Sequence, residues 1–149
     1  ITLGDWSSDV CSSDLVPFGS ARIARAGSAC TVLTYGGGVI EALAAAEATG
    51  IDAEVIDLRT LDIMGLDWGA VGASLAKTHR LLIAEETTRG TALGQHLAKR
   101  AQELFFDELD HEIVHTSGSW SSPVVSKVLE RAALARREEF AAGLRAVTA

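Results

Sequence analysis

The sequence predicts an α/β fold: a three-layer α/β/α sandwich around a mostly parallel sheet. Strand-like and helix-like segments alternate along most of the chain. Three of the strand segments are continuous apolar runs, so both of their faces must be covered, as helices on either side of a parallel sheet do. The 149 residues, 48% of them apolar, suffice for one sizeable core and are too few for two ordinary domains.

Each element has a local reason. Residues 21–26 offer an edge strand. TVLTY (31–35) is an apolar run that stops at Gly36, Gly37 and Gly38. A helix is expected over 39–49, with Ile40, Leu43 and Ala44 on its inward face and Gly50 as its stop. EVIDL (54–58) is a second run. Trp68, Val71 and Leu75 recur at helical spacing behind Asp67, a natural N-cap. RLLIA (80–84) is the third run. Leu93, Leu97, Ala101 and Leu104 mark the next helix, and residues 112–115 a weaker strand. Val125, Val128, Leu129 and Ala132 mark a fourth helix, and Phe140, Leu144 and Val147 a terminal one. This β-α-β order suits right-handed crossovers, and ligands in such sheets sit at the carboxyl ends of strands.

Composition excludes several classes. With 13 Lys and Arg against 20 Asp and Glu, the net charge is −7. A nucleic-acid binder needs a basic face, so that class is not indicated. The apolar runs are too short to span a membrane. Two cysteines, Cys11 and Cys30, make no disulfide scaffold. Residues 5–15 read DWSSDVCSSDL, the in-frame translation of a string resembling a common sequencing-library adapter. Residues 1–15 are therefore expected to lie outside the domain, which runs over 16–149, and the natural chain is expected to extend upstream of Val16.

Four features carry candidate chemistry. Gly36, Gly37 and Gly38 join a strand to a helix, where glycines let an anion approach free N–H groups; a tight turn needing positive φ explains them as well. Arg59 and Thr60 end the next strand and offer a cation and a hydroxyl, for an anion or for a subunit contact. Glu85 and Glu86 end the third strand. Neighbours on a strand point to opposite faces, so they form no proton-sharing pair, and an interface hydrogen bond is the expected use of one of them. HEIVH (111–115) matches a zinc-protease signature that works only on a helix. On a strand the two imidazoles lie about 13 Å apart, beyond the reach of one zinc, so no metal site is expected. Ser117, Ser119, Ser121 and Ser122 flank Trp120 without a G-x-S-x-G elbow, so a serine hydrolase is not indicated. Phe105 and Phe106 are adjacent at a helix end, where one face can bury only one of them. The other ring, and Trp120 in its Ser-rich loop, are expected to be exposed and to mark an interface.

Taken together, Val16-Pro17-Phe18-Gly19-Ser20-Ala21, Arg25-Ala26-Gly27, TVLTYG (31–36), EVIDLRT (54–60), Leu61-Asp62, Asp67-Trp68, Ser74, Lys77-Thr78 and Glu85-Glu86 resemble, in order, the transketolase C-terminal domain. The version most resembled is that of the beta subunit of 2-oxo acid dehydrogenases of the pyruvate, branched-chain and acetoin type. The resemblance implies a cytoplasmic enzyme that uses thiamine diphosphate and magnesium to decarboxylate a 2-oxo acid and acylate lipoyl. It implies that this chain, the C-terminal piece, binds neither and is inactive alone. Its implied partners are an upstream pyrimidine-binding domain, an alpha subunit or fused alpha region, a second beta subunit and the lipoyl acyltransferase core. Its implied role is subunit association, with anion binding at strand ends as an addition. The alternatives are a stand-alone interaction module and the same domain of another transketolase-like enzyme, such as deoxyxylulose phosphate synthase.

Overall fold

A computed structural model of the chain describes residues 16–120 and 125–149. Residues 1–15, Ser121 and Ser122 lie outside the described residues. Strands β1 (Arg22–Arg25), β2 (Cys30–Thr34), β3 (Ala53–Asp57), β4 (Leu81–Ala84) and β5 (Val114–Thr116) form one sheet in the order β1-β3-β2-β4-β5. The last four run parallel, and β1 lies antiparallel along the outer edge of β3. The helices are α1 (Gly38–Thr49), α2 (Trp68–Thr78), α3 (Gly94–Phe105), α4 (Lys127–Ala133) and α5 (Arg137–Thr148).

Strand alternation builds the three layers. Val32, Val55 and Leu82 pack with Ala42, Ala45, Phe140 and Leu144, so α1 and α5 cover one face. Leu33, Ile56 and Ile83 pack with Val71, Leu75, Leu97 and Ala101, so α2 and α3 cover the other. Every residue of β2 and β4 is buried. The chain steps from β2 to β3 on one side, then returns to place β4 on the other. This reversal opens a crevice between the carboxyl ends of β2 and β4.

Four expectations are corrected. In α1 the buried residues are Gly38, Ala42, Ala45 and Ala46, whereas Ile40 is 72% exposed. The helix must pack against both α5 and the sheet, and small side chains allow that close approach. In α3 the inward stripe stops at Ala101; Leu104 is exposed and Phe105 takes the next contact, against Trp68. The fourth helix begins at Lys127, and Val125, Val128, Leu129 and Ala132 are all exposed, leaving Ala133 as its buried residue. Strand β5 lies further along the chain than expected, because the Asp110 N–H bonds the His79 carbonyl and pairing begins only at Val114 opposite Leu82. The remaining signals hold. Gly50 ends α1 at φ 69°, Asp67 accepts the Ala70 N–H at 3.0 Å, and Phe140, Leu144 and Val147 are the buried stripe of α5.

Candidate functional site

The crevice at the strand-order reversal has a volume of about 300 Å³ and is lined by Tyr35, Gly36, Gly37, Glu86, Thr87 and Leu134. Its wall on the β2 side is the glycine turn. Gly36 adopts φ 55°, a backbone conformation that side chains disfavour, and Gly38 opens α1. Gly37 has a different reason: a Cβ there would lie 2.6 Å from a carboxylate oxygen of Glu86. The chain's own carboxylate therefore sits at the start of α1, where the N–H groups favour negative charge. Arg136, at the start of α5, reaches the same carboxylate at 3.1 Å and Glu41 at 3.8 Å.

Glu85 has the opposite fate. It is fully buried and accepts three hydrogen bonds: from the Tyr35 hydroxyl at 2.7 Å, the Gly94 N–H at 2.8 Å and His115 Nε2 at 2.6 Å. Burial pushes its carboxyl upward, but the bonds from His115, Tyr35 and Gly94 outweigh burial and hold it below the usual carboxylate range. An ionised Glu85 accepts from all three, so the His115 proton resides on Nε2. Burial and the Glu85 carboxylate together push the Tyr35 phenol well above its ordinary value. The cluster ties β4 to β5, to the loop after β2 and to the start of α3. Glu85 and Glu86 do diverge, one into the sheet and one into the crevice.

The other predicted residues stand elsewhere. Arg59 is exposed, adopts φ 55° and has Asp57 as its ion-pair partner at 3.8 Å. The Thr60 hydroxyl accepts the Gly19 N–H at 2.9 Å. Neither lines the crevice with Gly36 and Gly37. His111 contacts Arg80 at 3.3 Å while His115 belongs to Glu85, so the two ends of HEIVH serve different partners. Phe105 packs on Trp68 with ring centroids 6.3 Å apart, whereas Phe106 is 67% exposed. Trp120 is 73% exposed, with the Arg89 guanidinium 5.9 Å from its ring centre. Sequence reasoning missed Arg136, Tyr35 as a hydrogen-bond donor and Gly94. Their partners in these clusters lie 9 to 95 residues away, and no spacing rule links them.

The remaining motif residues form a second buried network. The Thr31 hydroxyl lies 2.6 Å from both the Ser74 and Thr78 hydroxyls. Lys77 Nζ meets the buried Glu54 carboxylate at 2.5 Å, and Gly27 N–H adds a longer bond at 3.4 Å. Burial pushes Glu54 upward, and Lys77, Ser74 and Gly27 bring it below its ordinary range. These residues clamp α2 onto β2 and β3; they are architecture rather than chemistry.

Residues 19–139 match the family model of the transketolase C-terminal domain. The chain belongs to that family. It is 46% identical over 108 residues to the 2-oxoisovalerate dehydrogenase subunit beta of Pseudomonas aeruginosa, covering 72% of this chain and 30% of that protein. It is 37% identical over 136 residues to the pyruvate dehydrogenase E1 component subunit beta of Rhizobium meliloti, covering 89% of this chain and 29% of the relative. A solved split-gene transketolase, described as an inactive beta4 tetramer, superposes with a TM-score of 0.71 at 23% identity, over 94% of this chain and 45% of its own. That likeness supports the fold. The transketolase C-terminal-domain chain thus spans under a third of the length of these two beta subunits. Among the described residues, no helix is long and apolar enough to cross a membrane.

Proposed function

We propose that this chain serves as the C-terminal domain of a beta subunit of a 2-oxo acid dehydrogenase decarboxylating component, and that its work there is subunit association. The observation that carries the reading is the 46% identity to the Pseudomonas aeruginosa 2-oxoisovalerate dehydrogenase subunit beta. The polar groups at the strand ends support the second half of it. Glu85 and Thr60 are committed to internal contacts, while Phe106 and Trp120 stand exposed, as interface anchors do.

In the whole enzyme a 2-oxo acid would be decarboxylated and its acyl group passed to the lipoyl disulfide, which is reduced as it accepts the group; thiamine diphosphate would supply the electron sink and magnesium would hold its diphosphate. In this reading the cofactor is held outside this domain. Among the described residues, no three His, Cys, Asp or Glu side chains gather as a metal site, and Glu86 holds the helix start a diphosphate would need. The reading assigns the cofactor to the upstream pyrimidine-binding domain and the alpha subunit, and gives this domain a second beta subunit and the acyltransferase core as neighbours. An anion at Gly36, Gly37 and Gly38 would compete with Glu86 and gain no help from Arg59.

The test is a chimera. Residues 16–149 replace the matching segment of the Pseudomonas aeruginosa beta subunit, co-expressed with its alpha subunit. Assembly on a sizing column, with turnover of 2-oxoisovalerate or pyruvate when thiamine diphosphate and magnesium are supplied, is the expected result. A folded chimeric subunit that fails to capture the alpha subunit overturns the proposal.

A further inference from the structure

Where the chain enters the domain, two stretches far apart in sequence share one apolar surface. Phe18 is 99% exposed and Met64 80%, and Val16 and Leu61 are exposed as well. The backbone brings them together. The Gly19 N–H donates to the Thr60 hydroxyl at 2.9 Å, and a Cβ on Gly19 would lie 2.8 Å from the Gly65 carbonyl oxygen. Phe18 therefore sits beside the loop that carries Leu61 and Met64, just past the carboxyl end of β3. The same loop supplies polar groups: Arg59, paired with Asp57, and Asp62, whose carboxylate accepts the Met64 N–H at 3.3 Å.

The platform under these side chains is fixed. Gly19 holds φ 73°, and the Ala21 N–H donates to the Asp67 carboxylate at 3.1 Å, so residues 19–21 are fastened to the loop before β1 starts. The loop is closed in turn by Trp68 Nε1, which donates to the Ile63 carbonyl at 2.9 Å, and by the Gly65 N–H on the Asp62 carbonyl at 3.0 Å. An ordered platform with its large apolar side chains in water needs a cover, since one phenylalanine alone offers roughly 150–250 Å². Connectivity selects the cover. The chain spans under a third of the length of the two beta subunits it matches. On the beta-subunit reading, the domain that precedes Val16 leaves from the patch itself. It is therefore held there at high effective concentration, and a second copy would have to compete with it.

We propose that the upstream domain of the same beta subunit seats an apolar face on Val16, Phe18, Leu61 and Met64, with the Phe18 ring as its anchor. The two domains then move as one body instead of on a flexible tether. The face that fits is apolar at its centre, with a slot for a phenyl ring, and polar at its margin, where Arg59 and Asp62 stand. The inference rests on the beta-subunit reading and deepens it by naming the surface that joins this domain to the rest of the subunit.

Chymotrypsin reads this surface, because it cuts after Phe18. The full 149-residue chain is compared with the chimeric subunit described above, before and after the alpha subunit is added. Mass spectrometry follows the fragment that begins at Gly19. Phe18 lies in solvent in the chain alone, so its cutting there should be fast, and in the chimeric subunit it should be at least about tenfold slower. Met64→Asp leaves the cleaved bond intact and places a charge in the apolar patch. It should leave the melting curve of the chain alone unchanged and bring cutting of the chimera back toward that of the chain alone. A chimera that captures the alpha subunit yet is cut after Phe18 as fast as the chain alone overturns the proposal and leaves the beta-subunit reading standing. So does protection that appears only once the alpha subunit is added, or that Met64→Asp does not relieve. Protection of the chain alone that grows with its concentration assigns the patch to a second copy and overturns the proposal too, as does a Met64→Asp melt lowered in the chain alone. A folded chimera that fails to capture the alpha subunit overturns the beta-subunit reading, and this inference falls with it.

Discussion

Glu85→Ala removes the acceptor of three hydrogen bonds in one step. The Tyr35 hydroxyl, the Gly94 N–H and the His115 N–H lose partners now at 2.7, 2.8 and 2.6 Å. Each buried donor left unpaired costs roughly 1–3 kcal/mol, and relief from burying a carboxylate offsets part of the sum. Less that relief, the three lost bonds cost about 3–5 kcal/mol net. For a domain of this size that is a fall in Tm of roughly 10–15 °C. The acid dependence adds a second readout. Glu85 is held below its ordinary range in the folded chain, whereas unfolding returns it to roughly 4.3. The unfolded state then binds more protons as the pH falls, so Glu85's contribution is present above that value and is lost through the window beneath it. Thermal melts of wild type and Glu85→Ala between about pH 7 and pH 3 should therefore show a gap that narrows on acidification. A loss under about 1 kcal/mol at neutral pH, or a gap that stays constant into acid, would refute the three-bond account.

Three further outcomes follow from the packing. Lys77→Met should cost about 2–4 kcal/mol, because it strands the buried Glu54 carboxylate, and adding Glu54→Gln should recover much of it; denaturant titration of the single and double variants measures this asymmetry. Gly118→Ala should cost about 3 kcal/mol or more, since its Cβ would collide with the Ala133 carbonyl oxygen and strain the bond from Gly118 N–H to the Thr87 carbonyl; a melt unchanged from wild type would contradict the geometry. Ile40→Ser should stay within about 0.5 kcal/mol while Ala45→Leu costs about 1–3 kcal/mol, so the larger loss falls on the smaller residue, and urea midpoints check the order.

The sequence by itself determined the layer architecture, because strands that are apolar at successive rather than alternate positions can be buried only between two covering layers. It determined α2, its cap and its inward stripe, the stop at Gly50, and the buried stripe of α5, because each is set by neighbours within four or five residues. The family was legible too, since TVLTYG, EVIDLRT, Lys77-Thr78 and Glu85-Glu86 lie in order. What those motifs do was decided only in three dimensions. Thr31, Ser74 and Thr78 meet across more than forty residues, and Glu85 draws Tyr35 from fifty residues upstream and His115 from thirty downstream. Tertiary packing also decided which face of α1 is inward. A helix rich in alanine carries little amphipathic signal, and the need to sit close to both α5 and the sheet selects its smallest residues over Ile40. It left α4 outward for the converse reason: its apolar spacing was real, but within this domain only Ala133 finds a surface to pack against. Periodicity states that an apolar face needs covering; only the arrangement of the whole chain states whether the cover lies in the same domain.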